Sequence, residues 1–209
     1  MIEAGELGDI LQVTGYAQCG LSHNGSHLID TIRYLAGGEV EWVFGEIESD
    51  EAAQGEGDPQ GNGYLAFDNG VRSFIRATPC GVASWEFDVI GSKGRVRSLN
   101  NALEWDCSAR VEDRASGRNL LAKTPLAWPT RIQGMGQTII EDLVNAIETG
   151  DPPRCSGDDG LKALEIALAL RESHRRGGHK IALPLTDRNL GMQSSEITQD
   201  HTPARIRRL

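Results

Sequence analysis

The sequence predicts an α+β fold, a mostly antiparallel sheet with helices packed on one face. Three observations carry it. Short β-branched and aromatic runs follow one another through residues 63–106, separated by tight-turn sequences such as Asp68-Asn-Gly70 and Gly91-Ser-Lys-Gly94. Strands so close in sequence pair as antiparallel neighbours, not through βαβ crossovers. Helical periodicity appears once early and then twice near the end, so strands and helices are segregated. The 25 glycines in 209 residues call for many tight turns and exclude a plain helical bundle.

Asp9-Ile-Leu-Gln-Val-Thr-Gly-Tyr-Ala-Gln18 reads as the first strand. The polar break at residues 22–26 leads into a helix over 27–36, with Leu28, Ile29, Ile32, Leu35 and Ala36 on one face. Asn24 or Ser26 can cap its start, and Gly37-Gly38 stops it. Residues 40–48 read as a strand, and the acidic, glycine-rich stretch 50–63 as a surface loop. Strands are expected at 63–67, 71–77, 84–91, 94–99 and 103–106, and irregular chain over 110–129. A helix over 136–149 places Ile139, Ile140, Leu143, Val144 and Ile147 on one face. Ser156-Gly-Asp-Asp159 is the acidic form of the capping box and opens the last helix, to Arg176. Ile181-Ala-Leu-Pro-Leu185 is a final extended piece. Residues 1–185 form the domain, and 186–209 a polar, solvated tail.

Charge and composition narrow the function. The net charge of −9 makes the chain a poor general ligand for nucleic acid or an anionic membrane. No apolar run reaches membrane-spanning length, and the amino terminus has no signal-peptide pattern. Cys19, Cys80, Cys107 and Cys155 are far apart, with no C-x-x-C pair. Free thiols in a reducing cytoplasm are the expectation. Gly55-x-Gly57 and Gly134-x-Gly136 both lack the third glycine and the strand-before-helix setting of a dinucleotide fingerprint.

The polar cluster Ser22-His-Asn-Gly-Ser-His-Leu-Ile-Asp30 stands where a strand hands over to a helix. A helix start presents free N–H groups and partial positive charge, which favours a neutral, proton-accepting imidazole. By residue type alone, a structural helix start outweighs catalysis here. His23-x-x-x-His27 also has metal-ligand spacing, but Gly25 and the expected cap break the helix between them, and the glutamate of H-E-x-x-H is absent. Metal is the minority reading.

At this cluster, Gly25-Ser-His-Leu-Ile-Asp-Thr-Ile-Arg-Tyr-Leu-Ala-Gly37 followed by Val40-Glu-Trp-Val43 resembles the carboxy-terminal domain of the Gfo/Idh/MocA oxidoreductases. The likeness extends to Ile2-Glu-Ala-Gly-Glu-Leu-Gly-Asp-Ile10, Phe67-Asp-Asn-Gly-Val71, Ile90-Gly-Ser-Lys-Gly-Arg95 and Ser156-Gly-Asp-Asp-Gly-Leu-Lys-Ala-Leu164. The resemblance implies the substrate-binding domain of an NAD(P)-dependent oxidoreductase acting on a sugar, polyol or related carbonyl compound. NAD or NADP would belong to a Rossmann domain outside this sequence, and none is expected on this chain alone. His27 matches the family's proton-transferring histidine, and Asp30 the acid that follows it, in an orienting or structural role. His23 stands where many of these dehydrogenases have an aspartate, so His23 and Asn24 are assigned to substrate contact. Self-association through the open sheet face is implied as well. The alternative is a non-catalytic binding or oligomerisation module of the same ancestry.

Overall fold

A computed structural model describes residues 1–81, 85–126 and 134–193. The elements run β1 (Ile10–Gln18), α1 (His23–Ala36), β2 (Val40–Ile47), α2 (Asp50–Gln54), β3 (Gly61–Phe67), β4 (Arg72–Thr78), β5 (Glu86–Gly91), β6 (Gly94–Leu99), β7 (Glu104–Asp113), β8 (Arg118–Lys123), α3 (Met135–Thr149), α4 (Gly157–Arg175) and β9 (Ile181–Ala182). All nine strands form one sheet, in the order β8-β7-β6-β5-β1-β4-β3-β2-β9. The architecture is α+β, as expected. Two antiparallel wings, β2-β3-β4 and β5 to β8, meet at β1. The β1–β4 pair is parallel, with Gln12 opposite Arg72.

Alternation fixes the faces. Val13 and Ala17 of β1, and Ser73, Ile75 and Ala77 of β4, point to the helix side and are buried. α1 lies on β1 and α4 on β2, side by side. Residues 166–170 of α4 are buried without a break. That run breaks amphipathic periodicity because α4 is enclosed by β2, α1, α2 and β9 together. Gly45 of β2 permits the approach: a Cβ there would lie 2.2 Å from the Leu170 carbonyl oxygen. The Gly45 N–H donates to Ser173 Oγ (2.9 Å), and the Ile47 N–H to His174 Nδ1 (3.0 Å).

Four local expectations are corrected. The loop over 50–63 holds α2, capped by the Ser49 hydroxyl on the Ala52 N–H. The strand expected at 103–106 runs on to Asp113 and turns into β8, where irregular chain was expected. This edge hairpin is exposed over much of both faces, so it carries no alternation to read. α1 begins at His23, four residues earlier than its apolar period suggests. α3 forms where expected, but none of its residues is buried. Residue 84 of the expected fifth strand, residues 127–129 of the irregular stretch and residues 194–209 of the expected tail lie outside the described residues. Residues 186–193 lie against the body: Arg188 pairs with Glu165 (2.7 Å), and Arg171 Nη2 donates to the Gly191 carbonyl (2.7 Å).

Candidate functional site

α1 starts early because its cap comes from elsewhere in the chain. Ser22 occupies the N-cap position, but its side chain makes no cap bond there. Instead the Asp58 carboxylate accepts the Ser22 N–H at 2.6 Å and the His23 N–H at 2.8 Å. Neither Asn24 nor Ser26 is the cap; the Ser26 hydroxyl donates to the His23 carbonyl (3.0 Å). Gly25 is buried, and a Cβ on it would lie 2.2 Å from the Gly20 carbonyl oxygen. The helix start is thus wedged against the end of β1.

Rotation of 100° per residue then sorts the side chains. Leu28, Ile29 and Ile32 are fully buried against the sheet. His23, Asn24 and His27 are exposed, and His23 and His27, one turn apart on a continuous helix, share the outward face. Tyr34, 75% exposed, continues this face toward the helix end. Among the described residues, no group of three or more His, Cys, Asp or Glu side chains is arranged to hold a metal. The expected break between the two histidines is absent: α1 runs through both.

Asp30 turns aside from this stripe. Its carboxylate accepts from Arg33 Nη1 at 2.7 Å. Arg33 is buried, and its guanidinium also meets Glu39 (3.0 Å) and Asp159 (3.5 Å), with Lys162 on Glu39 at 2.7 Å. This network ties α1 to the capping box that opens α4, where Ser156 and Asp159 bond reciprocally. A cleft of about 490 Å³ opens beside it, lined by Asp30, Arg33, Tyr34, Glu39, Arg154 and Asp159 among others. Burial alone would raise the Glu39 carboxyl, but hydrogen bonds from Lys162 and Arg33 outweigh it and hold Glu39 below the usual carboxylate range. The Ser156 N–H and hydroxyl, with Arg33 beyond them, lower Asp159 likewise.

Depressed carboxyl pKa values make the network a source of stability above the unfolded-state values, lost as pH falls through the folded-state ones. The urea midpoint should therefore fall below about pH 4, the unfolded range of these carboxyls. Glu39→Gln should flatten that fall. Parallel pH profiles for parent and variant would show that Glu39 contributes nothing to it.

The opposite sheet face is built differently. Trp42, Phe44, Tyr64 and Phe74 form a row with centroid spacings of 5.3 Å for Trp42–Phe44, 6.4 Å for Phe44–Tyr64 and 5.3 Å for Tyr64–Phe74. Lys180 Nζ sits 4.2 Å from the Trp42 ring centroid. Across the other wing, Asp88 pairs with Arg95, and Asp106 with Arg97 and Lys123. Tyr16 bonds Glu86, and that bond, with burial, pushes its hydroxyl up to about 12.

The usual dinucleotide-binding device is not seen among the described residues. The sheet has one parallel pair, and the β1-to-α1 turn, Cys19-Gly-Leu-Ser-His-Asn-Gly25, lacks the G-x-G-x-x-G that lets backbone approach a pyrophosphate. Sequence reasoning missed Asp58, Arg33, Glu39 and Asp159 as organisers of this region. Asp58 and Asp159 reach α1 across 35 and 126 residues, the Arg33–Glu39 pair spans six, and of these only the Ser156–Asp159 box had a signature read from the sequence.

A family model described as the oxidoreductase family, C-terminal alpha/beta domain, matches residues 1–183. Over 152 residues the chain is 28% identical to the myo-inositol 2-dehydrogenase of Thermotoga maritima, covering 70% of this chain and 44% of that protein. Its fold is similar to that of levoglucosan dehydrogenase in complex with NADH: TM-score 0.67, 22% identity, 88% of this chain and 61% of that one. It is also similar to the WlbA dehydrogenase from Bordetella pertussis in complex with NADH and UDP-GlcNAcA: TM-score 0.61, 22% identity, 88% and 58%. The chain spans less than two thirds of each of these relatives.

Proposed function

Since the chain belongs to the oxidoreductase family through its C-terminal alpha/beta domain, we propose that it is the substrate-binding half of an NAD(P)-dependent enzyme acting on a sugar, polyol or related carbonyl compound. The observation that carries the reading is the outward face of α1. There a continuous helix, fixed at its start by Asp58, presents His23 and His27 together with Asn24. NAD or NADP, held by a separate Rossmann part, supplies the redox chemistry. This chain's share is binding and a proton. His27 takes the hydroxyl proton of the substrate or returns it. His23 and Asn24 hold neighbouring hydroxyls, and Asp30 locks the helix through Arg33.

α3 supports a second half. Ile139, Ile140, Leu143, Val144 and Ile147 are 45–74% exposed, an apolar stripe with no cover among the described residues. An isolated helix of 15 residues is marginal in water, so such a stripe calls for a partner. Arg154 reaches Asp142 of α3 (3.5 Å) and also lines the cleft beside Asp30 and Tyr34. A cofactor half seated on α3 would therefore also border the α1 face.

The test is reunion. The chain should be joined to the amino-terminal half of the Thermotoga maritima myo-inositol 2-dehydrogenase and assayed at 340 nm with a panel of polyols and sugars. Reduction of NAD or NADP is expected, with Leu143→Asp weakening the assembly. Calorimetry should find no saturable NADH or NADPH binding by the chain alone. A folded, cofactor-binding hybrid that turns over no substrate would favour the non-catalytic module.

The aromatic row suits a second copy of the chain, since Phe44 and Phe74 are 41% and 44% exposed on an otherwise flat face. Light scattering should report a dimer or larger, and Phe74→Asp a monomer. A monomeric parent at micromolar concentration would remove this interface. The reading places the protein in the cytoplasm, which its four free cysteines support. Among the described residues, no helix is long and apolar enough to cross a membrane.

A further inference from the structure

The sheet ends in an arm. β7 runs from Glu104 to Asp113, but its pairing with β6 ends at Ala109, opposite Gly94. Beyond that point β7 pairs with β8 alone, Val111 with Leu120 and Asp113 with Arg118. The hairpin therefore overhangs the β5–β6 turn. β8 is the outermost strand, so among the described residues its outer edge is unpaired. Val111, Leu120 and Leu121 are all exposed on this arm. A pocket of about 300 Å³ occupies the notch under the overhang. Ile90, Leu120 and Leu121 give it apolar lining, and Lys93, Arg95 and Arg110 give it charge. Its walls are fixed. The Ser92 and Lys93 N–H groups donate to the Asp9 and Leu7 carbonyls (both 2.9 Å), and the Arg110 N–H to the Lys93 carbonyl (2.7 Å). Arg95 is committed to Asp88, whereas Lys93 and Arg110 take part in no ion pair among the described residues. Residues 114–123 carry Arg114, Arg118 and Lys123 and no carboxylate, in a chain of net charge −9.

We propose that the outer edge of β8 and the pocket beside it dock an extended, acidic and apolar segment of another polypeptide by strand addition. Free backbone N–H and C=O groups on a sheet edge recruit backbone, so the partner is a peptide in strand conformation. An added strand lies about 4.8 Å from β8, close enough for its side chains to pass Leu121 and enter the pocket. The apolar lining holds one or two of them, since the volume is at the small end of ligand sites. Lys93 and Arg110 select carboxylates on the same segment. A second copy of β8 matches less well. In the antiparallel register that uses the whole strand, Arg118 would face Lys123, and like charges directly opposite destabilise a pair. The edge lies four strands from β1, so the proposal is independent of the α1 face and of the oxidoreductase role.

The probe is a short, terminally blocked and fluorescein-labelled peptide of valine and leucine interspersed with aspartates. Its control carries lysines in their place. Fluorescence anisotropy on the chain as it exists should show saturable binding of the aspartate peptide, about tenfold tighter than of the lysine peptide. Nitrogen-15 amide shifts should fall on β8 and on the residues lining the pocket. Lys93→Glu combined with Arg110→Glu, both at exposed positions, should invert the charge preference with the fold kept. Leu121→Asp should abolish binding of either peptide. Equal binding of the two peptides by the parent, binding of neither, or shifts centred on the Trp42–Phe74 row would overturn the proposal. So would self-association that persists in Phe74→Asp and disappears in Leu121→Asp, which gives the edge to a second copy. Turnover is not the readout, so failure of the reunited enzyme would leave this result standing, and the reverse holds.

Discussion

His27→Asn in the reunited enzyme is expected to lower turnover by about 10²–10⁴-fold, the usual contribution of a positioned acid–base group, while substrate affinity changes only a few-fold. Oxidation of a carbinol requires the hydroxyl proton to leave as the hydride leaves carbon, and reduction requires it to return. His27 is exposed on the outward face of α1, and the buried Leu28 and Ile29 beside it fix the helix that carries it. Asparagine keeps approximate size and a hydrogen bond but cannot take up a proton near neutral pH. His23→Asn, one turn earlier, should act chiefly on affinity or specificity. Steady-state kinetics on both variants, with folding checked by circular dichroism, separates the roles. A His27→Asn enzyme as fast as its parent would reduce the cluster to a structural helix start.

Gly45→Ala should be strongly destabilising, costing about 3 kcal/mol or more, at or beyond the upper end of ordinary overpacking. The added Cβ would lie 2.2 Å from the Leu170 carbonyl oxygen and 2.6 Å from its Cα. Both are backbone atoms, so no rotamer relieves the clash and α4 must lift from β2. Lifting it strains the bonds from Gly45 to Ser173 and from Ile47 to His174. A melting point lower by about 6–12 °C is expected for a domain of this size. Gly57→Ala, with nothing within 4 Å, is the control and should stay within about 0.5 kcal/mol of the parent. Coincident melting of the two variants would show that α4 rides more loosely on the sheet than this geometry requires.

Local chemistry was legible in the sequence wherever it was self-contained. The Ser156 box is a four-residue pattern and it forms as read. The Asp68-Asn-Gly70 turn joins β3 to β4, and the apolar face of α1 is buried. What stayed hidden depends on partners distant in the chain. Asp58 caps a helix that starts 35 residues before it, and a loop carboxylate leaves no periodic trace. The parallel register of β1 and β4 is set by where the crossover through α1 lets β2 land, which strand composition does not encode. α3 shows a different limit. Amphipathic spacing announces an apolar face but is silent on whether the cover is in the same chain. For the site, the resemblance singled out His27, and the structure adds the two devices that hold its helix, Asp58 at the start and Arg33 farther along.

The seam at β1 bears on how the chain assembles as it is made. β1 comes first in chain order among the strands of this sheet and is the central one in it. Its partners arrive much later, Arg72 opposite Gln12 on one side and Ile90 on the other. Each wing closes through neighbours in sequence, by hairpins that need no distant segment. β1 instead leaves the ribosome with both hydrogen-bonding edges open and must wait for two strands from different wings. Its long-range pairings, like that of β2 with β9, carry a large loop-closure cost that slows folding. In that interval α1, next off the ribosome, is the element available to shield Val13 and Ala17 from other chains.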